Sequence, residues 1–253
     1  MNSIKLRIIF IIIAAIYIGL VPAVFAMGLE ESISDKLGGF LKEINGVEIK
    51  EMRIFICEGE EMIQLRELAD EYNWSLYYDS VKKEIILRNR NQTVILKTVS
   101  EKDKGVEGLY PFVSAGRTYL SIPMLKRILE DLGEERVITG LYTDKDKFGV
   151  NETISVHLRL YNFTEETIKL DFGSGQRYDL YLRKNKQEVW RWSEGRFFTM
   201  ALVREELEAG EILGYDVDID LELETGNYIL SGELAIIPGR MALGEIQIEI
   251  TED

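Results

Sequence analysis

The 253-residue sequence holds one cysteine and one histidine. A single cysteine excludes an intramolecular disulfide and any cysteine-cluster zinc site. A single histidine rules out a His-rich copper or zinc centre. No block of Lys and Arg stands out, and 44 acidic against 30 basic residues give a net charge of -14. That balance does not suit a general binder of nucleic-acid phosphates, so no nucleic-acid partner is expected. No Ser or Cys motif surrounds His157 in a nucleophile–base pattern. Asp144-Lys145-Asp146 lacks the later ligands and turn glycine of an EF-hand. The chain is therefore read as a non-enzyme that needs no metal and no cofactor.

Acid is missing from one stretch in particular: the first 26 residues contain no Asp or Glu. There Lys5 and Arg7 precede the apolar run 8–20, followed by Pro22 and then Val24-Phe25-Ala26. This is the order of a secretory signal peptide cut after Ala26. Residues 8–29 carry no charge and are about long enough to span a bilayer, so an uncleaved N-terminal anchor is the alternative. On either reading the remainder is secreted or held at the cell envelope, and only the N-terminal segment meets the membrane. An exported chain without disulfides fits a bacterial envelope. Residues 27–136 hold 16 basic and 21 acidic residues, and residues 137–253 hold 12 and 23. The pattern changes at the same place. The expected organisation is a small α+β domain over 27–136 followed by an all-β domain over 137–253.

In the first part, Leu29, Ile33, Leu37, Phe40, Leu41 and Ile44 recur at helical spacing and predict a helix ending before Gly46. An internal repeat follows with an offset of 57 residues: Phe55, Gly59, Ile63, Leu65 and Leu68 correspond to Phe112, Gly116, Leu120, Ile122 and Leu125. Each copy predicts a strand, a Gly turn, a return strand and a helix, at about 65–72 and 123–132. Pro123 suits a first helical turn. Residues 74–79, 84–88 and 93–97 read as strands between the copies. Cys57, in the apolar run Phe55-Ile56-Cys57, reads as a buried small hydrophobe rather than a reactive thiol.

The runs Ile63-Gln64-Leu65-Arg66-Glu67-Leu68-Ala69, Asn73-Trp74, Tyr78-Asp79 and Gly116-Arg117-Thr118-Tyr119-Leu120-Ser121-Ile122-Pro123 resemble the copper amine oxidase N-terminal-like, or stalk, domain. The likeness covers residues 52–133, with Gln64 and Ser121 where the family has Pro. It implies a spacer, because the oxidases keep their copper, three His ligands and modified Tyr in a separate catalytic domain. Arg66 and Arg117 read as charges fixing the strand–helix corners.

From Val137 onward, short alternating strands separated by turns predict about seven strands in an Ig-like antiparallel sandwich. Ile154, Val156, Leu158 and Leu160 alternate with Ser155, His157 and Arg159, so His157 is expected to face outward, alone. Asp216, Asp218, Asp220, Glu222 and Glu224 alternate with apolar residues over 216–224. They read as a solvated strand face, because alternate positions lie about 7 Å apart, too wide for one Ca²⁺ without a second element.

The ordered set Phe172-Gly173-Ser174-Gly175-Gln176-Arg177-Tyr178-Asp179-Leu180, Val189-Trp190-Arg191-Trp192-Ser193, Phe197-Phe198-Thr199, Leu207-Glu208-Ala209-Gly210-Glu211 and Gly226-Asn227-Tyr228 resembles the BsuPI-type intracellular proteinase inhibitor over most of residues 140–251. The resemblance implies an inhibitor whose partner is a serine protease. The candidate contact residues are Gly175, Gln176, Arg177, Trp190, Arg191, Trp192, Ser193, Phe197 and Phe198, and the candidate contact loops are 172–177, 183–187 and 193–199. Structural roles compete for the same residues: Gly173, Gly175 and Gln176 suit a turn needing permissive backbone angles, and Trp190 and Trp192 suit either the sandwich core or a recognition surface. Gly210 and Gly226 read as hairpin glycines. A non-inhibitory scaffold binding wall polymer or envelope proteins is the alternative function, since Ig-like sandwiches host many tasks.

Overall fold

The structure is a computed structural model describing residues 41–57, 59–97 and 111–252. The expected signal segment and residues 29–40 of the predicted N-terminal helix lie outside the described residues. The end of that helix is not helical: Glu43–Ile44 forms strand β1, which turns through Asn45 and Gly46 into β2 (Val47–Glu51).

The repeat folds as its pattern predicts. β3 (Ile54–Cys57), β4 (Glu60–Gln64) and α1 (Leu65–Glu71) form the first copy. β8 (Phe112–Ser114), β9 (Arg117–Ser121) and α2 (Ile122–Leu132) form the second. Gly59 and Gly116 take the same positive φ, +84° and +75°, which L residues rarely adopt. The copies join through β4 and β9, where the equivalent residues Ile63 and Leu120 lie opposite each other. Met62 faces Ser121 and Gln64 faces Tyr119, so a local two-fold axis passes through the Ile63–Leu120 pair. Between the copies, β5 (Ser75–Asp79), β6 (Glu84–Arg88) and β7 (Thr93–Lys97) form an antiparallel meander whose Ile85, Leu87, Val94 and Leu96 are buried with the helices. Arg66 and Arg117 are exposed, and Cys57 is half-buried and forms no disulfide.

The second part is a β-sandwich. Its strands are β10 (Arg136–Thr143), β11 (Lys147–Gly149), β12 (Ile154–Phe163), β13 (Ile168–Phe172), β14 (Tyr178–Lys184), β15 (Gln187–Arg191), β16 (Val203–Leu207), β17 (Ile212–Ile219), β18 (Gly226–Leu234) and β19 (Met241–Thr251). One sheet has the order β1-β2-β10-β12-β17 and the other β11-β19-β18-β14-β15, while β13 and β16 form a separate ribbon. Leu141, Leu158, Leu160 and Val217 of the first sheet meet Leu180, Leu182, Leu230 and Ile248 of the second in one core.

Alternation on β10 and β12 leaves a second apolar face. Ile138, Tyr142, Tyr161 and Phe163 point away from the sandwich and join the core built by α1, α2 and the repeat strands. Strand β2 runs parallel to β10, with Ile49 opposite Val137, and its Val47 and Ile49 pack against the sandwich core. Gly140 permits close approach, since a Cβ there would lie 2.2 Å from Ile54 Cδ1. Polar contacts complete the junction. Glu61 accepts hydrogen bonds from the Tyr142 hydroxyl, from Arg159 Nε at 2.7 Å and from the Tyr161 hydroxyl at 2.9 Å. Burial works to raise the Glu61 pKa, but these three donors together hold it below the ordinary value.

Two expectations on this face need correction. His157 is not a lone surface side chain. Its Nδ1 lies 2.8 Å from Asp216 Oδ1, its Nε2 lies 3.1 Å from Asp144 Oδ1, and its ring stacks on Tyr142 at 4.8 Å. The strand expected over 216–224 ends at Ile219, so its acidic row is shorter than the alternation suggests. Asp218 and Asp220 are taken up by Ser155 and Thr153, at 2.7 and 2.6 Å. Among the described residues, no His/Cys/Asp/Glu group could hold a metal ion, and no helix is long and apolar enough to cross a membrane.

Candidate functional site

The expected site residues fall around one irregular segment, the chain between β15 and β16. It leaves the edge of the second sheet after Arg191 and returns at Val203 without forming strand or helix. At its start, Asp179 on β14 is buried and acts as an acceptor. Leu180 N–H and Ser193 N–H each donate to its Oδ1 at 3.0 Å, and the Ser193 hydroxyl donates to its Oδ2 at 2.6 Å. Trp192 N–H donates to the Leu180 carbonyl at 2.9 Å. The segment is thereby tied to β14 before it departs.

Trp192 anchors the middle. Its ring lies 4.4 Å from Tyr178 and 5.8 Å from Phe198, and Tyr178 continues to Tyr215 at 5.0 Å. Burial pushes the Tyr178 and Tyr215 phenols above their ordinary pKa, so both rings remain neutral. Arg196 lies over the Trp192 ring at 4.3 Å and donates from Nε to the Trp192 carbonyl at 2.8 Å. Further on, the Thr199 carbonyl accepts from Gly175 N–H at 2.8 Å.

The return is gripped by ion pairs. Arg204 on β16 donates to both carboxylate oxygens of Asp171 at 2.6 and 2.9 Å and holds that carboxyl below the usual range. Arg177 donates to Glu205 and to the Ser174 carbonyl, and stacks over Phe172 at 4.8 Å. Tyr215 donates its hydroxyl to Glu205 at 3.2 Å.

Between these clamps the segment presents apolar side chains to solvent. Phe197 and Met200 are 101% and 99% exposed, and Leu202 is 66% exposed. Scattered exposed apolar residues are ordinary. Three large ones within six positions of a tied loop make an exposed apolar stretch, the feature that marks this segment as the candidate site.

The structure thus brings together Gly175, Arg177, Trp192, Ser193, Phe197 and Phe198. Gly175 has a reason different from the expected one. Its φ lies outside the left-handed region, and the constraint is space: a Cβ would lie 2.6 Å from Thr199 Oγ1. Gln176 serves its own loop, with Nε2 donating to the Tyr178 carbonyl at 3.2 Å. Trp190 packs half-buried against the sandwich core. Arg191 pairs with Glu188 and stacks over Tyr181, apart from the loop. Gly210 and Gly226 take positive φ, but the expected hairpins are absent: β16 and β17, and β17 and β18, belong to different sheets, so each glycine turns the chain from one sheet to another.

Sequence reasoning passed over Met200, Leu202 and the buried acceptor Asp179. A carboxylate inside the apolar strand Tyr178-Asp179-Leu180 was the available signal, because a buried charge needs donors.

The fold and loop define a β-sandwich presenting a braced apolar loop. Residues 141–238 match the family model described as BsuPI, intracellular proteinase inhibitor. This supports the C-terminal part of the resemblance. No curated protein matches the chain. Among solved structures, a β-glucosidase from Erythrobacter marinus aligns with 12% identity and a TM-score of 0.28, covering 44% of this chain and 15% of that one. The sporulation control protein Spo0M of Bacillus subtilis aligns with 16% identity and a TM-score of 0.31, covering 46% and 50%. A CARDB domain from Pyrococcus furiosus aligns with 10% identity and a TM-score of 0.29, covering 47% and 96%.

Proposed function

We propose that this chain is an exported inhibitor of a serine protease, acting through the sandwich and its 193–202 segment. The observation that carries the reading is that the braced loop lies inside the span matching the proteinase-inhibitor family. A protease cleft binds an exposed segment, and an inhibitor must hold that segment against the motion that cleavage requires. Ties at Asp179–Ser193, Gly175–Thr199 and Asp171–Arg204 supply such restraint. Pre-ordering also lowers the entropic cost of binding. An inhibitor domain is consistent with a chain that is not an enzyme.

Export is proposed from Lys5, Arg7, the run 8–20 and Val24-Phe25-Ala26. Residues 27–136 would then serve as a stalk-type spacer, as their resemblance implies. Titrating the purified mature chain against a panel of serine proteases, including envelope-bound ones, tests the inhibitor reading. Reversible inhibition at micromolar concentration or below is expected, with the chain left intact. N-terminal sequencing of envelope or medium protein should begin at Met27, whereas an intact Met1 in the membrane fraction would establish the anchor.

A further inference from the structure

Phe197 stands between two neighbours that are already committed. On one side, Arg196 N–H donates to the Ser193 carbonyl at 3.1 Å, its Nε donates to the Trp192 carbonyl, and its guanidinium covers the Trp192 ring. On the other side, the Phe198 ring is half-buried against Trp192, and the Thr199 carbonyl is held by Gly175. The Phe197 side chain lies wholly in solvent, although its backbone is tethered within two residues in each direction. A large ring held out in this way contributes little to folding. Its burial against a partner is worth as much as that of a core residue. Aromatic anchors of this kind dominate protein–protein affinity.

Resting on the inhibitor reading, we propose that Phe197 is the side chain inserted into the primary specificity pocket of the target protease. The target class is endopeptidases whose pocket accepts a large apolar side chain. The neighbouring charge argues against a carboxylate-lined pocket, because Arg196 is engaged with Trp192 instead of projecting. The size of the ring argues against a shallow pocket suited to small residues. Met200 and Leu202 extend the contact along the cleft, and their exposure continues the apolar surface beyond Thr199.

The test uses the full mature chain and three serine proteases of one fold: chymotrypsin with a deep apolar pocket, trypsin with a carboxylate-lined pocket and elastase with a small one. Inhibition constants and melting temperatures are measured for the wild type, Phe197→Ala, Phe197→Tyr, Phe197→Arg and Met200→Ala. The wild type should inhibit chymotrypsin most strongly. Phe197→Ala should weaken that inhibition by about 30-fold or more, the scale of a hot-spot residue. Phe197→Tyr should retain it, Phe197→Arg should move the preference toward trypsin, and all melting temperatures should stay at the wild-type value. Unchanged inhibition by Phe197→Ala, or loss confined to Met200→Ala, overturns the assignment of Phe197 and leaves the inhibitor reading standing. A wild-type preference for trypsin or elastase overturns the target class. Failure of the folded wild type to inhibit any of the three or any enzyme of the wider panel overturns both.

Discussion

The Ser193 hydroxyl donates to Asp179 Oδ2 at 2.6 Å, and the same residue's N–H donates to Oδ1 at 3.0 Å. A carboxylate 4% exposed thus fixes the first residues of the loop that carries the candidate contact surface. Removing it strands the buried Leu180 N–H and both donors of the half-buried Ser193. Asp179→Ala should therefore destabilise the chain by about 2–3 kcal/mol in urea unfolding. Hydrogen exchange should accelerate across residues 193–202 more than in β18. Ser193→Ala leaves the carboxylate two backbone N–H donors and should cost about 1 kcal/mol.

Gly175 and Thr199 are matched by shape. Gly175→Ala would place a methyl 2.6 Å from Thr199 Oγ1 and 3.3 Å from Thr199 N. Overpacking of this kind should cost about 1–3 kcal/mol. Adding Thr199→Ala removes the nearer obstacle but not the backbone contact. A double-mutant cycle read by thermal melting should show partial recovery. Strict additivity would show that the approach of these two loops does not limit the site.

Trp192→Ala removes the ring on which Tyr178, Phe198 and Arg196 converge. Because the ring is only half-buried, the loss should sit near the low end for Trp truncation, about 3 kcal/mol. Limited proteolysis should then cut first between residues 194 and 202. First cuts elsewhere would show that the loop is braced without Trp192.

Glu61 and Asp216 both grip Arg159, at 2.7 and 2.8 Å. Burial opposes ionisation of each carboxyl, yet the hydrogen bonds from Tyr142, Arg159 and Tyr161 to Glu61, and from His157 and Arg159 to Asp216, hold both below their ordinary values. A depressed carboxyl stabilises the fold above its unfolded pKa, about 3.9–4.3 for these residue types, and that stability is lost as pH falls through the folded value. Glu61→Gln should lower the urea midpoint at pH 7 and make its decline between about pH 5 and 3 shallower than in wild type. An acid limb of unchanged slope would place the titration elsewhere.

Much of the architecture is legible along the chain. The offset of 57 residues identifies two copies of one strand–turn–strand–helix unit. The structure places Ile63 against Leu120, the pairing that makes equivalent residues meet. Alternation from Ile154 to Leu160 identifies the inner face of β12, and turn glycines mark the ends of strands. The ordered residues from Phe172 to Tyr228 point to the inhibitor family, and the family match spans residues 141–238.

Periodicity reports which residues share a face, and the sequence by itself determined that much here. It does not report what covers the face. Ser155, His157 and Arg159 alternate with the inner face as expected, but the outward side of β12, where Tyr161 continues the row, is where the helices and β4 pack. Tyr161 is wholly buried there and bonded to Glu61, a hundred residues away. Gly175 shows the same limit at shorter range: composition suggests a flexible turn, whereas the requirement is a neighbouring loop passing too close for a Cβ. The role of Phe197 is also tertiary. Phe197 and Phe198 are identical in the sequence and adjacent in the chain, and only the position of Trp192 decides that one ring is packed and the other stands in solvent.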